Sequence, residues 1–465
     1  MNLRQYQADA IQSLRLALAG LVLRLMLYSP TGSGKTEIAM AIIRSAIAKG
    51  KRVAFVANRI GLVAQTSRRL HAAGIGHGII QADNTRSLEA QVLVCSIQTL
   101  AKRGLPPADL VIIDEAHACA GSADYRRLIF LHSAIPIIGL SETPFARGLG
   151  KEYPELGSSP LFQKLVVAAT IRELIDLEFL VDVEIYAPSE PDLSGVTMQR
   201  NSFGEQDYSE AALATAVDKP NLIGDIVAHW LRLAGGKPTV CFASSIAHSK
   251  HITEQFIAAG VAAEHLDCRT SEDDRKEILG RVERGVTKVV SNVAILTEGW
   301  DFPACEVMIL ARPTRSLTRW VQMVGRILRP HPGKVRGTVL DHSGSSRHLG
   351  YPTDDLPLEL HDGRPTKAGK AETASKESLP KKCPACSFMK PAKAHVCPKC
   401  GFAPERQTDI EVGAGELVQV KRKGVVTKDA KQHTYSQLLF VGRHRGCQPG
   451  WVKHKYRAMF GVWPK

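Results

Sequence analysis

The sequence has no apolar run clean enough to cross a membrane. The stretch from Leu16 to Tyr28 comes nearest, but Gly20 breaks it, Arg24 charges it, and no small-residue cleavage site follows. It therefore reads as a helix end running into a buried strand, with no transmembrane segment or secretory leader expected. A disulfide framework is missing too. Of the ten cysteines, Cys95, Cys119, Cys241, Cys268, Cys305 and Cys447 stand singly, and only Cys383, Cys386, Cys397 and Cys400 form close pairs. That arrangement implies metal and a reducing compartment. No tandem repeat is found, which excludes a solenoid, and no carboxylate cluster of a metal-dependent nuclease is visible. Acidic residues are scarce at one end. Residues 364–465 hold 21 Lys and Arg against 7 Asp and Glu, so the formal charge of +14 resides there and the first 363 residues are neutral. A basic region of this kind attracts polyanions by neutralising phosphates and releasing counterions, so nucleic acid is the first partner to consider.

What is present is enough for several folded units. A chain of 465 residues accommodates two domains of about 150 residues with accessory pieces. Short apolar runs at Leu21–Tyr28, Arg52–Ala57, Gln91–Cys95, Leu110–Ile113 and Pro136–Leu140 alternate with amphipathic segments, the pattern of a parallel sheet wrapped by helices. It weakens from Pro188 to Tyr208 and resumes with Thr239–Ala243, Lys288–Ser291, Val307–Leu310 and Gly337–Leu340. The expected organisation is a first α/β domain over 1–180, a linker over 181–215 and a second α/β domain over 216–345. A Pro-, Lys- and Gly-rich linker over 346–382, a four-cysteine module over 383–403 and a basic region over 404–465 follow, the last with short strands at Glu416–Val420 and Ser436–Val441.

The segment Ser29-Pro30-Thr31-Gly32-Ser33-Gly34-Lys35-Thr36 follows a strand and opens a helix. Gly32 and Gly34 let successive backbone amides curl toward phosphate oxygens. The helix N-terminus adds the positive end of its dipole, Lys35 reaches outer phosphates, and the Thr36 hydroxyl suits Mg²⁺. Ser29 stands where the strict pattern has Gly. Downstream, Asp114-Glu115-Ala116-His117 closes the strand Leu110–Ile113, placing two carboxylates at the strand's carboxyl end. One acid can hold Mg²⁺ through water, and the next can orient or deprotonate an attacking water.

In this order the motifs resemble those of superfamily 2 helicases and translocases of the DEAH type, over roughly residues 3 to 345. The resemblance implies two tandem RecA-like P-loop domains, with ATP and Mg²⁺ in the cleft. Leu3 to Gln7 resembles the adenine-recognising segment, with Arg4 and Gln7 as its readers. Asn58 and Arg59, then Ser96, Gln98 and Thr99, resemble the loops that grip the nucleic-acid backbone without base specificity. Ser141-Glu142-Thr143-Pro144 resembles the motif that couples hydrolysis to movement through Ser141 and Thr143; Glu142 departs from the small residue usual there. In the second half, Thr297 to Asp301 and Gln322 to Arg329 resemble the last two motifs. By that likeness Thr297 lies on the nucleic-acid track, Gly299 and Asp301 line the ribose side, and Arg326 and Arg329 supply guanidinium charge to the transferred phosphoryl group.

Cys383-Pro384-Ala385-Cys386 and Cys397-Pro398-Lys399-Cys400 can close a tetrahedron of thiolates around one structural Zn²⁺. Such a short segment buries little core, so the metal supplies its folding energy. Between Pro449 and Pro464, Val452, Tyr456, Met459 or Phe460, and Trp463 recur near helical spacing beside Lys453, Lys455 and Arg457, which suits a basic amphipathic helix whose aromatics dock the tail onto the protein, with base stacking and phosphate contact as the alternative. A helicase core followed by cysteine knuckles resembles RadD-like DNA repair helicases and the motor subunits of type III restriction enzymes. The expected activity is an ATP-dependent DNA helicase or translocase of repair, recombination or replication. The expected setting is cytoplasmic and nucleoid-associated, and the DNA single-stranded or branched, with a single-strand-binding protein or nuclease subunit as partner. An ATP-driven remodelling or annealing protein, a restriction-type motor subunit and an RNA helicase stay open as alternatives.

Overall fold

A computed structural model of the chain describes residues 3–188, 198–200, 206–208, 220–297, 300–354 and 356–363, with short pieces at 381–382, 389–390, 417–419, 435 and 452. Cys383, Cys386, Cys397, Cys400 and Gly299 lie outside those residues, as does nearly all of the segment expected to form the C-terminal amphipathic helix. The chain divides into two units, residues 1–419 and 420–465, and both large sheets belong to the first.

The first sheet contains β1 (Arg24–Tyr28), β2 (Val53–Ala57), β3 (Gly78–Gln81), β4 (Asn84–Arg86), β5 (Val92–Ser96), β6 (Leu110–Ile113) and β7 (Ile137–Ser141), with an eighth strand at Lys164–Val167. Its order is Lys164–Val167, β1, β7, β6, β2, β5, β3, β4, and every neighbour is parallel except the β3–β4 pair. Every residue of β1 is buried. Leu25 and Leu27 join Leu14, Ile38 and Ile42 of helices α1 (Gln5–Ala19) and α2 (Lys35–Ile47), whereas Met26 faces Tyr125 and Phe162 on the other side. Helices cover both faces, which is why these strands read as unbroken apolar runs. Each buried Leu or Ile of this kind contributes about 1.5–3 kcal/mol. The strand begins at Arg24 rather than Leu21 because α1 runs to Ala19 and Leu21 turns the chain at φ 62.

The second sheet runs Ala263–Leu266, Val289–Asn292, Thr239–Ala243, Val307–Ala311, Arg336–Asp341, Asp182–Pro188, Leu417–Gln419, parallel except at the last pair. Its core includes Trp230 packed edge-on against Phe256, with the Trp230 Nε1–H donating to Thr239 Oγ1 at 2.7 Å. Two parallel sheets in tandem give the α/β architecture expected.

The stretches read as linkers hold more structure than their composition suggests. Asp182–Pro188 is a strand of the second sheet: Val183, Ile185 and Ala187 point inward while Asp182 and Glu184 point out, so the apolar signal is halved. A hairpin of Met198–Arg200 and Gln206–Tyr208 follows. Its buried Asp207 accepts from Thr314 Oγ1 (2.9 Å) and from the Arg315 amide (2.8 Å), and pairs with Arg319 at 2.8 Å. Past the second sheet the chain returns to the first domain, where His361 O accepts from the amides of Gly148 and Gly150 at 3.1 and 2.9 Å. Gly150 is required there, since a Cβ would lie 2.6 Å from Leu360 O. Leu417–Gln419 falls within the strand expected at 416–420. Among the described residues no helix is long and apolar enough to cross a membrane.

Candidate active site

Strand order places the loops of the site. In the first sheet β7 lies between β1 and β6, with Tyr28 opposite Ser141 and Ile113 opposite Gly139. The carboxyl ends of these three strands therefore sit side by side, bringing residues 29–36, 114–115 and 141–143 together at one edge of a parallel sheet, where such folds bind ligands. Pro30, Gly32, Gly34, Lys35, Thr36, Asp114, Glu115 and Glu142 from these loops line a cavity of about 810 Å³ that also receives Trp300, Asp301, Arg326 and Arg329 from the second domain.

The loop at 29–36 has the shape of an anion cradle. Gly32 (φ +71) and Gly34 (φ +79) adopt left-handed conformations, and a Cβ would lie 2.7 Å from Leu180 Cδ2 at the first and 2.4 Å from Gln7 Nε2 at the second. Ser33 Oγ donates to Pro30 O (2.5 Å), so the contact between Ser29 Oγ and Ser33 Oγ (2.6 Å) is a donation from Ser29. Serine in place of the usual glycine thus braces the loop from inside. Tyr6 Oη and Gln7 Nε2 both donate to Ser33 O, at 2.7 and 2.8 Å, tying α1 to the loop. Gln7 Oε1 also accepts from the Arg4 amide at 2.9 Å. Both polar atoms of the Gln7 amide are thus already engaged, and its side chain is buried.

Lys35 Nζ lies 2.6 Å from Glu115 Oε1 and 3.1 Å from Asp114 Oδ1. Burial pulls its pKa down, but Asp114, Glu115 and Glu142 more than reverse this, so the ammonium is held charged. Asp114 Oδ1 accepts from the Glu115 amide (3.0 Å), and Glu115 sits at φ 50, a left-handed position costly for a non-glycine residue. The Thr36 hydroxyl accepts from Arg69. A hydroxyl and a carboxylate beside this cradle are the hard oxygen donors Mg²⁺ takes, and Lys35 supplies positive charge at the two acids.

The second domain contributes two guanidiniums, that of Arg326 buried and that of Arg329 partly exposed. Arg326 Nη1 donates to Trp300 O (2.7 Å), its Nε donates to Gln322 O (3.3 Å), and its Nη2 meets Glu142 Oε2 of the first domain at 3.5 Å. Arg329 pairs with Asp301. Burial, and then Arg326, lower the pKa of Arg329, with Asp301 and Glu142 opposing them. Two further contacts cross the cleft. Thr31 Oγ1 donates to Gly325 O at 3.4 Å, and Gln322 Nε2 meets His117 Nε2 at 3.2 Å. Burial, helped by the charges of Lys35 and Arg59, pushes His117 down to about 3, so the ring is neutral. Its Nδ1 faces Glu115 Oε2 at 3.3 Å and Ser141 Oγ at 3.2 Å. A proton on Nδ1 leaves Nε2 to accept from Gln322.

Residues 1–146 match the family described as "Type III restriction enzyme, res subunit", and residues 218–331 match "Helicase conserved C-terminal domain"; together they cover more than half of the chain. The chain belongs to the superfamily 2 helicases. It is 26% identical to a 51.5 kDa protein of Lactococcus phage (isolate 7-9), covering 89% of this chain and 86% of that protein. It is 27% identical to "Putative ATP-dependent helicase IRC3" of Saccharomyces cerevisiae, covering 81% of this chain but only 57% of the yeast protein. Its fold resembles a fragment of an HsdR-type subunit of a type I restriction enzyme from Vibrio vulnificus YJ016, with a TM-score of 0.57, 20% identity, and coverage of 78% of this chain and 67% of that one. Members of this helicase family are nucleic-acid-dependent ATPases.

The helicase loops expected to grip nucleic acid cluster at the ends of β2 and β5, where Ala57 is opposite Ser96. Gln98 Nε2 donates to Asn58 O (2.8 Å), and Ser96 Oγ donates to Gln98 Oε1 (2.7 Å). Arg59 and Gln98 are exposed, whereas Thr99 is buried and accepts from the Ala82 amide at 2.9 Å. Thr297 is buried in the second domain, and Ser141 Oγ accepts from the Thr143 amide at 3.0 Å. Sequence reading does not find Phe179, a cavity residue whose ring lies 3.6 Å beneath the Arg4 guanidinium. An isolated aromatic at the end of a domain carries no local signal. His117 and Gln322 sit inside readable motifs, yet their pairing is visible only once the domains are assembled.

Proposed function

We propose that this chain hydrolyses ATP in the cleft and uses the cycle to translocate along DNA, separating or remodelling strands. The observation that supports this most is that Lys35, Asp114 and Glu115 of one domain share a cavity with Arg326 and Arg329 of the other. Hydrolysis can then read whether the domains are closed. The phosphates lie on the loop at 30–36, with Lys35 drawn from Glu115 toward them. The adenine lies between Arg4, Gln7 and Phe179, and the ribose near Gly299 and Asp301. Thr36 and Asp114 hold Mg²⁺, which when bound neutralises charge developing on the transferred phosphoryl group. Glu115, released from Lys35, orients and accepts a proton from the attacking water, while Arg326 and Arg329 stabilise the phosphoryl charge. Ser141 and Thr143, through His117, connect this chemistry to the second domain.

Asn58, Arg59, Ser96, Gln98 and Thr297 grip the phosphate backbone, with Thr99 holding the loop in shape. Restriction-enzyme relatives favour DNA over RNA as the track. Cys383, Cys386, Cys397 and Cys400 hold one Zn²⁺, and the zinc module with the basic tail adds a second DNA contact. Metal analysis should find about one zinc per chain, lost on replacing Cys397 and Cys400 by Ser; a zinc-free folded protein would remove this part. The deciding experiment is an ATPase titration over single-stranded, duplex and forked DNA and RNA, with a strand-separation readout. DNA should raise turnover several-fold and Lys35→Ala should abolish it. Equal turnover with and without a polynucleotide would refute the motor, and stimulation without strand separation would assign it to translocation or remodelling.

A further inference from the structure

We propose that Glu142 is a positioning residue that holds Arg326 across the cleft until an ATP phosphoryl group takes its place, and so sets the ATP concentration at which the domains engage. The inference rests on the reading of this cleft as an ATP site.

Glu142 directly follows Ser141, the last residue of β7, at the carboxyl end of the sheet. A carboxylate there faces a cavity otherwise suited to a polyanion, beside Asp114 and Glu115. Repulsion of the incoming phosphates is the direct consequence. What the carboxylate gains is Arg326, whose side chain is 5% exposed against 12% for its own. Of the three Arg326 nitrogens, Nε and Nη1 donate to carbonyls of their own domain, Gln322 O and Trp300 O. Only Nη2, 3.5 Å from Glu142 Oε2, reaches the first domain. Arg329 has its own carboxylate in Asp301, so Glu142 is the counter-charge that Arg326 meets across the cleft. A buried guanidinium next to another needs such a partner.

Glu142 therefore occupies, in charge, the place of the outer phosphoryl group. Without nucleotide it keeps Arg326 aimed at the first domain. With ATP it must give the guanidinium up, which opposes binding of the outer phosphate. ADP, which ends short of that position, meets less opposition. Loss of the Glu142 charge should tighten ATP far more than ADP.

The test is equilibrium titration with fluorescent ATP and ADP analogues, together with steady-state KM and kcat, on wild type, Glu142→Gln, Glu142→Ala, Glu142→Asp and Lys35→Ala, each with its melting temperature. Glu142→Gln and Glu142→Ala should bind the ATP analogue on the order of tenfold more tightly and lower KM to match. The ADP affinity should change much less, and Glu142→Asp should behave as wild type. A residue that merely packs the loop would lower the melting temperature and weaken both nucleotides, which overturns the proposal. Unchanged ATP affinity in both neutral variants also overturns it. If wild type fails to bind either analogue, or Lys35→Ala binds as well as wild type, the ATP-site reading fails instead.

Discussion

Replacing Gly325 by alanine puts one methyl group into the seam between the two domains. The residue caps the helix Leu317–Val324 with φ −52 and ψ −23, a conformation that any L-residue adopts. Backbone strain is therefore not at issue, and helix propensity favours alanine by about 1 kcal/mol. The obstacle is Thr31 of the loop at 29–36: the new Cβ would lie 2.9 Å from Thr31 Cγ2 and 3.1 Å from Thr31 Cβ. Val321 O, at 3.1 Å, closes another side. The methyl fits only if the loop at 29–36 and the end of the helix Leu317–Val324 draw apart, which strains the Thr31–Gly325 hydrogen bond of 3.4 Å. Overpacking of this kind costs about 1–3 kcal/mol. If the closed arrangement is the one that hydrolyses ATP, kcat/KM should fall by about 5- to 150-fold. Each domain keeps its own core, so the melting temperature should move little. The assay is DNA-stimulated ATPase on Gly325→Ala and wild type, with thermal melting and nucleotide binding measured alongside. An unchanged kcat/KM in a folded variant would refute the view that this seam closes during turnover.

The other contacts make equally direct predictions. Gln322→Ala and His117→Ala should each reduce DNA stimulation of turnover, and a double-mutant cycle should return a coupling of about 0.5–1.5 kcal/mol, the range of a neutral hydrogen bond. Fully additive losses would mean that the 3.2 Å contact does not form in the working enzyme. Acid should destabilise the fold through its buried histidines. Burial first, then Lys35 and Arg59, push His117 from 6.5 to about 3, and burial with His229 and His248 does the same to His342. Both are bases with depressed pKa, so the unfolded chain binds more protons in that window. Their stability is fully present above pH 6.5 and is lost as pH falls from there toward 3. Urea midpoints measured from pH 7.5 down to 5 should decline, and His117→Asn should flatten the slope; a pH-independent midpoint would contradict the burial of these rings.

How much of the molecule is legible in its sequence depends on the range of the constraint. Residues 29–36 must turn through left-handed glycines at fixed spacing, and Asp114 and Glu115 must emerge from a buried strand, so both appear as contiguous patterns. The strands β1, β2, β5, β6 and β7 are equally plain because helices cover both sheet faces. Asp182–Pro188 is not, since only alternate residues are apolar and its partner strand, Arg336–Asp341, lies far along the chain. The return of residues 356–363 to the first domain is hidden for a similar reason. Glycine- and proline-rich composition marks an irregular backbone, whether it is solvated or docked.

The chemical parts of this protein are readable along the chain: a glycine-turned loop ending in Lys35 and Thr36, paired acids and paired arginines, each specified by the spacing of neighbours. Which parts meet depends on the assembled fold. Thr31 and Gly325 are 294 positions apart, and His117 and Gln322 are 205 apart. Glu142 and Arg326 come from different domains. Such contacts depend on how one folded sheet is placed against another, and no local propensity or periodicity carries that placement.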